Sequence, residues 1–219
     1  HGHHRRQRQM CIRDRTSANF EKALVALSNR KFFKNISISR GIEREALRSN
    51  LNGVISKTPH PKSLGSALTN PFITTDFAEA LIEMVTPTFD TVEGLHSFLE
   101  NLDFFVKENL NDEILWNASM PCELGDEKQI QIAEYGVSNT GRLKNIYRRG
   151  LRERYGSAMQ CVSGIHYNFS LSKKSWQDFF NQNESNQAEI DRAYFGLIRN
   201  VKRNYLSLIH ISEPTRLDD

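Results

Sequence analysis

Cysteine is scarce in this chain, with three among 219 residues. Cys11 lies in an end segment that reads as foreign to the fold. Cys122 and Cys161 are too few and too far apart for a disulfide framework or a zinc site, and both are expected as core or near-core residues. Long apolar runs are also missing: nothing approaches the roughly 20 residues of a membrane span. No secretory apolar segment occurs, so the chain is expected to be cytoplasmic, with no membrane partner. The absence of a Gly-x-x-x-x-Gly-Lys-Ser/Thr loop argues against the P-loop mode of nucleotide binding. Internal repeats and low-complexity stretches are absent as well. A gap in positive charge is the most informative lack: no lysine or arginine occurs between Leu64 and Val106, although that stretch carries several carboxylates.

The two ends distort the composition. Gln9-Met10-Cys11-Ile12-Arg13-Asp14 and Leu206-Ser207-Leu208-Ile209-His210-Ile211 can be encoded by opposite strands of one oligonucleotide, the pattern of an insert flanked by sequencing adapters. Residues 1–15 and 206–219 are therefore expected to be adapter-derived tails that form no regular element continuous with the core. The first tail carries a net charge of +4 and the second −2, so the overall +3 falls to +1 between them. The electrostatic case for nucleic acid weakens accordingly. Of seven histidines only His60, His96 and His166 lie outside the tails, and His96, alone on a helix, is given no role.

What remains is long enough for one domain with a real core. Phe20, Ala23, Leu24 and Leu27 fall at helical spacing behind Ser17. From Ile36 to Arg48 the period changes to two and predicts a strand. It turns at Asn50-Leu51-Asn52-Gly53, where Asn-Gly supplies positive φ, and returns through residues 54–57. Ile73 to Thr86 holds a second strand, closed by Pro87. Val92, Leu95, Leu99, Leu102, Val106 and Leu110 mark a long amphipathic helix. A helix from Arg142 to Tyr155 should carry Leu143, Ile146, Tyr147, Leu151 and Tyr155 on one side. Met159 to Leu171 reads as a third strand, before helices near Trp176–Phe180 and Glu189–Tyr205. Antiparallel strands backed by helices make an α+β fold, with strand order left open.

Carboxylates recur at alternate strand positions. Glu43 and Glu45 would project from one face about 7 Å apart, while Arg40, Arg44 and Arg48 fall on the other. Such a pair repels unless a cation lies between, and it can bridge divalent ions; the plainer reading is an exposed charged face. Asp76, Glu79 and Glu83 sit among Phe77, Ala78, Ala80, Leu81 and Ile82, apolar enough to imply burial without a countercharge. As a strand, this run would put Glu79 and Glu83 on one face. His166 shares a polar face with Gln160, Val162, Gly164, Asn168 and Ser170, either as a half-buried histidine or on the floor of a cleft. The basic residues of helix 142–155 read as a solvated face or as recognition of anionic groups.

Arg40-Gly41-Ile42-Glu43-Arg44-Glu45, Ile73 to Glu83, Tyr135-Gly136-Val137-Ser138-Asn139-Thr140-Gly141-Arg142 and Ser163-Gly164-Ile165-His166-Tyr167-Asn168-Phe169 occur in this order. Together they resemble the proteobacterial type of glutamate–cysteine ligase, from about Ala18 to Tyr205. The resemblance implies a curved, mainly antiparallel sheet backed by helices, like that of glutamine synthetase, incomplete at its C-terminal side. Residues 16–205 would form the N-terminal part of the ligase catalytic domain. It further implies ATP-dependent ligation of the glutamate γ-carboxylate to cysteine, giving γ-glutamylcysteine, ADP and phosphate in the first step of glutathione biosynthesis. ATP and Mg2+ would be the cofactors and glutamate and cysteine the partners, with no nucleic acid, in an intact enzyme that is a monomer. Carried over by motif, Glu43, Glu45, Asp76, Glu83 and His166 are metal ligands or their immediate support. Phe77, Tyr147, Leu151 and Gln160 form the cysteine pocket, and no protein general base is implied. The family continues past Tyr205, so the chain alone is expected to be inactive. The alternative, read from residues alone, is a binding module using helix 142–155 on RNA or an acidic partner.

Overall fold

A computed structural model describes residues 36–180 and 186–212, together with Lys22, Val25 and Ser28, with side chains as far as Tyr205. The N-terminal tail lies outside these residues, as does most of the helix expected from Ala18 to Leu27, in which Lys22 and Val25 are helical. The chain divides into two units: residues 38–170, and residues 1–37 with 171–219.

The larger unit is organised on β1 (Ile38–Asn50), a strand of 13 residues. Around it stand β2 (Ile73–Thr75), β3 (Leu81–Val85), β4 (Glu113–Trp116) and β5 (Ile165–Leu171). The order is β2-β3-β1-β4, with β5 also pairing β1. The β1–β3, β1–β4 and β2–β3 pairs are antiparallel. The result is an open, mainly antiparallel sheet with helices, of α+β class. Helix α1 (Val92–Glu108) starts at Thr91, whose hydroxyl accepts from the Gly94 amide at 3.2 Å. It lays Leu102 and Val106 on the back of the sheet against Ala46, Ile82, Met84 and Leu115. On the front, Leu47 and Leu81 join Ile55, Phe77, Cys122, Ile130 and Cys161 in a second core. Alternation along β1 thus sends Glu43 and Glu45 forward and Arg44 and Arg48 backward.

The expected second strand is two strands. Asp76 to Ala80 form a tight turn, with the Asp76 amide on the Leu81 carbonyl at 3.0 Å. Glu79 therefore does not share a strand face with Glu83. It is buried, with its carboxylate oxygens taken by the amides of His60 (2.8 Å) and Glu134 (2.7 Å). The expected third strand begins later, because Ala158–Cys161 form a 3-10 turn that drops Cys161 into the core. Gln160 thus lies on that turn, off the face that carries His166. Strand β4 has no counterpart in the sequence reading.

Helix α2 (Asn139–Tyr155) is capped by Ser138, which accepts from the Gly141 amide at 3.1 Å. It meets the unit through Gly141, Asn145 and Arg148, and of its expected apolar side only Leu151 packs against the core. Leu143, Ile146, Tyr147 and Tyr155 are exposed. In the smaller unit α3 (Lys173–Phe180) and α4 (Gln187–Ser212) meet where Trp176 packs edge-on to Tyr194, centroids 4.9 Å apart. Helix α4 passes the expected stop at Tyr205, so Leu206–Ser212 do form a regular element continuous with the preceding chain. Nothing in Leu-Ser-Leu-Ile-His-Ile breaks a helix, and Pro214 is the first residue that does.

Candidate functional site

The front of the sheet beyond the apolar core is acidic. Glu45 stands directly opposite Glu83 in the β1–β3 register. Glu43 follows two residues along the same face. Asp76, at the end of β2, acts electrostatically on both Glu45 and Glu83. Burial first, then Asp76, Glu45 and Glu43, push the Glu83 carboxyl above the ordinary carboxylate value, and Arg148 opposes them more weakly. Burial likewise raises Glu45, with Asp76 and Glu43 adding to it and the Gly164 amide and His166 pulling the other way. The arginines of β1 offer no relief. Arg44 pairs with Asp103 and donates to Asn117 at 2.7 Å, and Arg48 pairs with Glu113 at 2.7 Å on the back.

Strand β5 and the loop before it complete the face. The Gly164 amide donates to Glu45 Oε2 at 2.7 Å, and the Glu45 amide returns to the Gly164 carbonyl at 3.0 Å. His166 Nδ1 meets Glu43 Oε2 at 3.1 Å, and Asn168 Nδ2 donates to Glu43 Oε1 at 3.0 Å. The bond to Glu43 raises the His166 pKa; burial opposes it, and the charges of Glu45, Glu43 and Glu83 add to the rise. All five residues expected as metal ligands or their support are thus drawn to one region of the sheet. Among the described residues no group of three or more His, Cys, Asp or Glu side chains is arranged as a ready metal cage. The donor chemistry nevertheless fits Mg2+, which prefers oxygen ligands, keeps several waters and takes one or two carboxylates plus substrate phosphates.

Comparison with known proteins gives the face a context. Residues 22–212 match the Glutamate-cysteine ligase family. This chain belongs to the glutamate–cysteine ligase family. It is 48% identical over 178 residues to the glutamate–cysteine ligase of Saccharophagus degradans, covering 80% of this chain and 33% of that relative. Against the Bordetella petrii glutamate–cysteine ligase the identity is 51% over 172 residues, with 78% and 33% covered. The crystal structure of the Francisella tularensis glutamate–cysteine ligase in complex with AMP superposes with a TM-score of 0.65 at 43% identity, covering 69% of this chain and 30% of that one. A bifunctional glutathione synthetase from Pasteurella multocida gives 0.60 at 35% identity, with 68% and 19% covered. The chain spans about a third of the length of the curated relatives it matches.

The residues that the ligase resemblance assigned to a cysteine pocket are less uniform in setting. Phe77 is 1% exposed in the front core, and Leu151 packs against that core. Gln160 is half-buried on the 3-10 turn. Tyr147, on α2, is 63% exposed. Two further residues were missed. Tyr135 is buried under Lys144 and Arg148, its ring centroid 4.9 Å and 4.7 Å from their cationic groups. Arg148 turns inward and donates from Nε to the Asp76 carbonyl. The first was visible only as the start of a motif and the second only as one of six basic helix residues. Arg149 and Arg152 instead line a separate groove of about 760 Å³ with Lys57 and Lys128. Burial pushes the Cys161 thiol up to about 12 and raises that of Cys122 as well, which disfavours the nucleophilic thiolate at both.

Proposed function

We propose that this chain supplies the metal-facing side, and part of the cysteine pocket, of an ATP-dependent ligase that joins the glutamate γ-carboxylate to the cysteine amine. The products would be γ-glutamylcysteine, ADP and phosphate, the first step of glutathione biosynthesis. The observation that carries this reading is the facing Glu45–Glu83 pair, with Glu43 and Asp76 beside it and no strong countercharge among the described residues, in a chain of the ligase family. Glu43, Glu45, Asp76 and Glu83 would hold Mg2+, with His166 and Asn168 orienting Glu43 through the bonds already made. When bound, the metal would neutralise ATP phosphates and the charge that develops during phosphoryl transfer. The residues contribute position and electrostatics, which suffices for a reaction of this class. Phe77, Tyr147, Leu151 and Gln160 would belong to the pocket for the cysteine, and no side chain need act as general base. By itself the chain would not turn over, because positioning cannot survive a site assembled from one side.

The test is Mn2+ titration of the full chain, read by the loss of the free-ion electron paramagnetic resonance signal, in parallel with Glu43→Gln. Saturable binding by the parent chain that the substitution weakens supports the assignment. Binding that Glu43→Gln leaves unchanged refutes it. Phosphate release dependent on ATP, glutamate and cysteine, at a rate comparable to a full-length relative, would refute the inactivity of the chain.

A further inference from the structure

The turn that presents Asp76 is held almost wholly by distant groups. Its sequence, Asp-Phe-Ala-Glu-Ala, has no glycine, proline or asparagine, and Asp76 is its one turn-favouring residue. All five of its carbonyls nevertheless have donors. Those of Phe77, Ala78 and Ala80 accept from the amides of Ala133 (2.9 Å), Leu81 (2.9 Å) and Arg48 (2.7 Å). That of Glu79 accepts from the Arg48 guanidinium at 3.1 Å. The Asp76 carbonyl, at the end facing the acidic cluster, takes two side-chain donors. The Tyr135 hydroxyl divides its proton between it, at 3.1 Å, and the Thr75 carbonyl, at 2.6 Å; Arg148 Nε is the second donor.

Both donors are themselves fixed. The Tyr135 hydroxyl accepts from Thr75 Oγ1 at 3.1 Å, and its ring is covered by Arg148 and Lys144. Arg148 Nη1 reaches back to the Lys144 carbonyl at 3.1 Å. Gly141 presses on the Tyr135 carbonyl so closely that a Cβ there has no room. Helix α2 therefore abuts residues 135–136 backbone to backbone. Arg148 is adjacent to Tyr147 and one helical turn from Leu151.

We propose that Tyr135 and Arg148 are positioning residues: a clamp that sets the Asp76–Phe77 turn and joins helix α2 to the metal-facing hairpin as one body. The significance for metal binding rests on the functional reading above, whereas the clamp itself rests on the geometry alone. Through it, a shift of α2 on filling the cysteine pocket would be transmitted to Asp76.

The experiment uses the full chain and Mn2+ as the probe, with Tyr135→Phe, Arg148→Met and Arg148→Lys. Tyr135→Phe keeps the ring and its cation stack and loses only the hydroxyl. Arg148→Lys keeps the charge but not the planar guanidinium with its Nε donor. Each variant should weaken Mn2+ binding about 10- to 100-fold, the usual cost of losing a group that orients a ligand. Hydrogen exchange of the metal-free chain should quicken at Glu79 and Leu81, while amides joining β1 to β4 keep their rates. Unchanged Mn2+ affinity in Tyr135→Phe overturns the positioning role, and full affinity in Arg148→Lys reduces Arg148 to a point charge. If the parent chain binds no Mn2+, the metal reading falls and the exchange rates alone decide: unaltered exchange at the turn overturns the clamp. A variant that fails to fold, shown by uniformly fast exchange, is replaced as evidence by the other two.

Discussion

Replacing Glu83 by glutamine should stabilise the metal-free chain, although most substitutions at half-buried positions destabilise. Glu83 faces Glu45 across an antiparallel pair, and burial and neighbouring carboxylates raise the pKa of both. Like charges in directly opposed positions, with Cβ atoms about 4.5–5.5 Å apart, cost roughly the 0.2–1 kcal/mol that opposite charges there contribute. Glutamine removes the charge and keeps the shape, so the larger unit should gain about that much. For a unit of this size that is an upward shift of about 0.5–4 °C in the thermal midpoint. The pH dependence provides the sign test. Groups with raised pKa bind more protons folded than unfolded, so their contribution to stability falls as pH rises from the ordinary carboxylate range through the raised values. The gain from Glu83→Gln should be largest above that window and shrink below it. At neutral pH, Mg2+ should stabilise the parent chain and leave the variant unaffected. Calorimetry across pH decides the matter. Destabilisation at pH 7, or a gain that persists in acid, would show that the carboxylate has a favourable partner and refute the reasoning.

Three other outcomes follow from the same geometry. Arg48 is 0% exposed and serves Glu113, Thr58 and the Glu79 carbonyl, so Arg48→Met should cost about 3–5 kcal/mol in urea denaturation; a loss no larger than that of a surface substitution would contradict the role. Strand β5 leaves Ile165, Tyr167 and Phe169 exposed, 66%, 54% and 44%, and should drive self-association that Tyr167→Lys reduces in sedimentation velocity; a monomeric parent chain at high concentration would show that this face is benign. Cys161, held near 12 by burial, should resist iodoacetamide at pH 8 until the chain is denatured, and rapid labelling of the native chain would place it elsewhere.

The strand pattern was legible where the period was long and the chemistry alternated. Thirteen residues of β1 show which carboxylates share a face, and the Asn-Gly turn after it appears with Gly53 at φ 78°. The apolar stripe of α1 was equally plain. The Asp76–Ala80 turn was not, because it holds no glycine or proline and four of its five carbonyls are satisfied by Arg48, Ala133, Tyr135 and Arg148, all remote in sequence. Strand β4 was hidden for a related reason. Four residues, Glu-Ile-Leu-Trp, are too short to show a period, and they follow Asp112, whose φ of 51° is a positive-φ conformation that aspartate tolerates.

Helix α2 divides the two kinds of information most sharply. Its existence and its end at Tyr155 could be read from the apolar and basic spacing, since periodicity is a local property of the chain, but it starts at Asn139, three residues before the expected Arg142, because the Ser138 hydroxyl caps it. Which side it buries was decided by what it meets: the Tyr135 ring takes Lys144 and Arg148, the Asp76 carbonyl takes Arg148 and the Ala133 carbonyl takes Asn145, while Leu143, Ile146 and Tyr147 stay outside. The family and the acidic set Glu43, Glu45, Asp76 and Glu83 were present in the one-dimensional pattern, because motifs and alternation survive without a partner. Their convergence, and the groups that hold Asp76 in place, arose only when distant segments supplied the hydrogen bonds that a buried backbone must have.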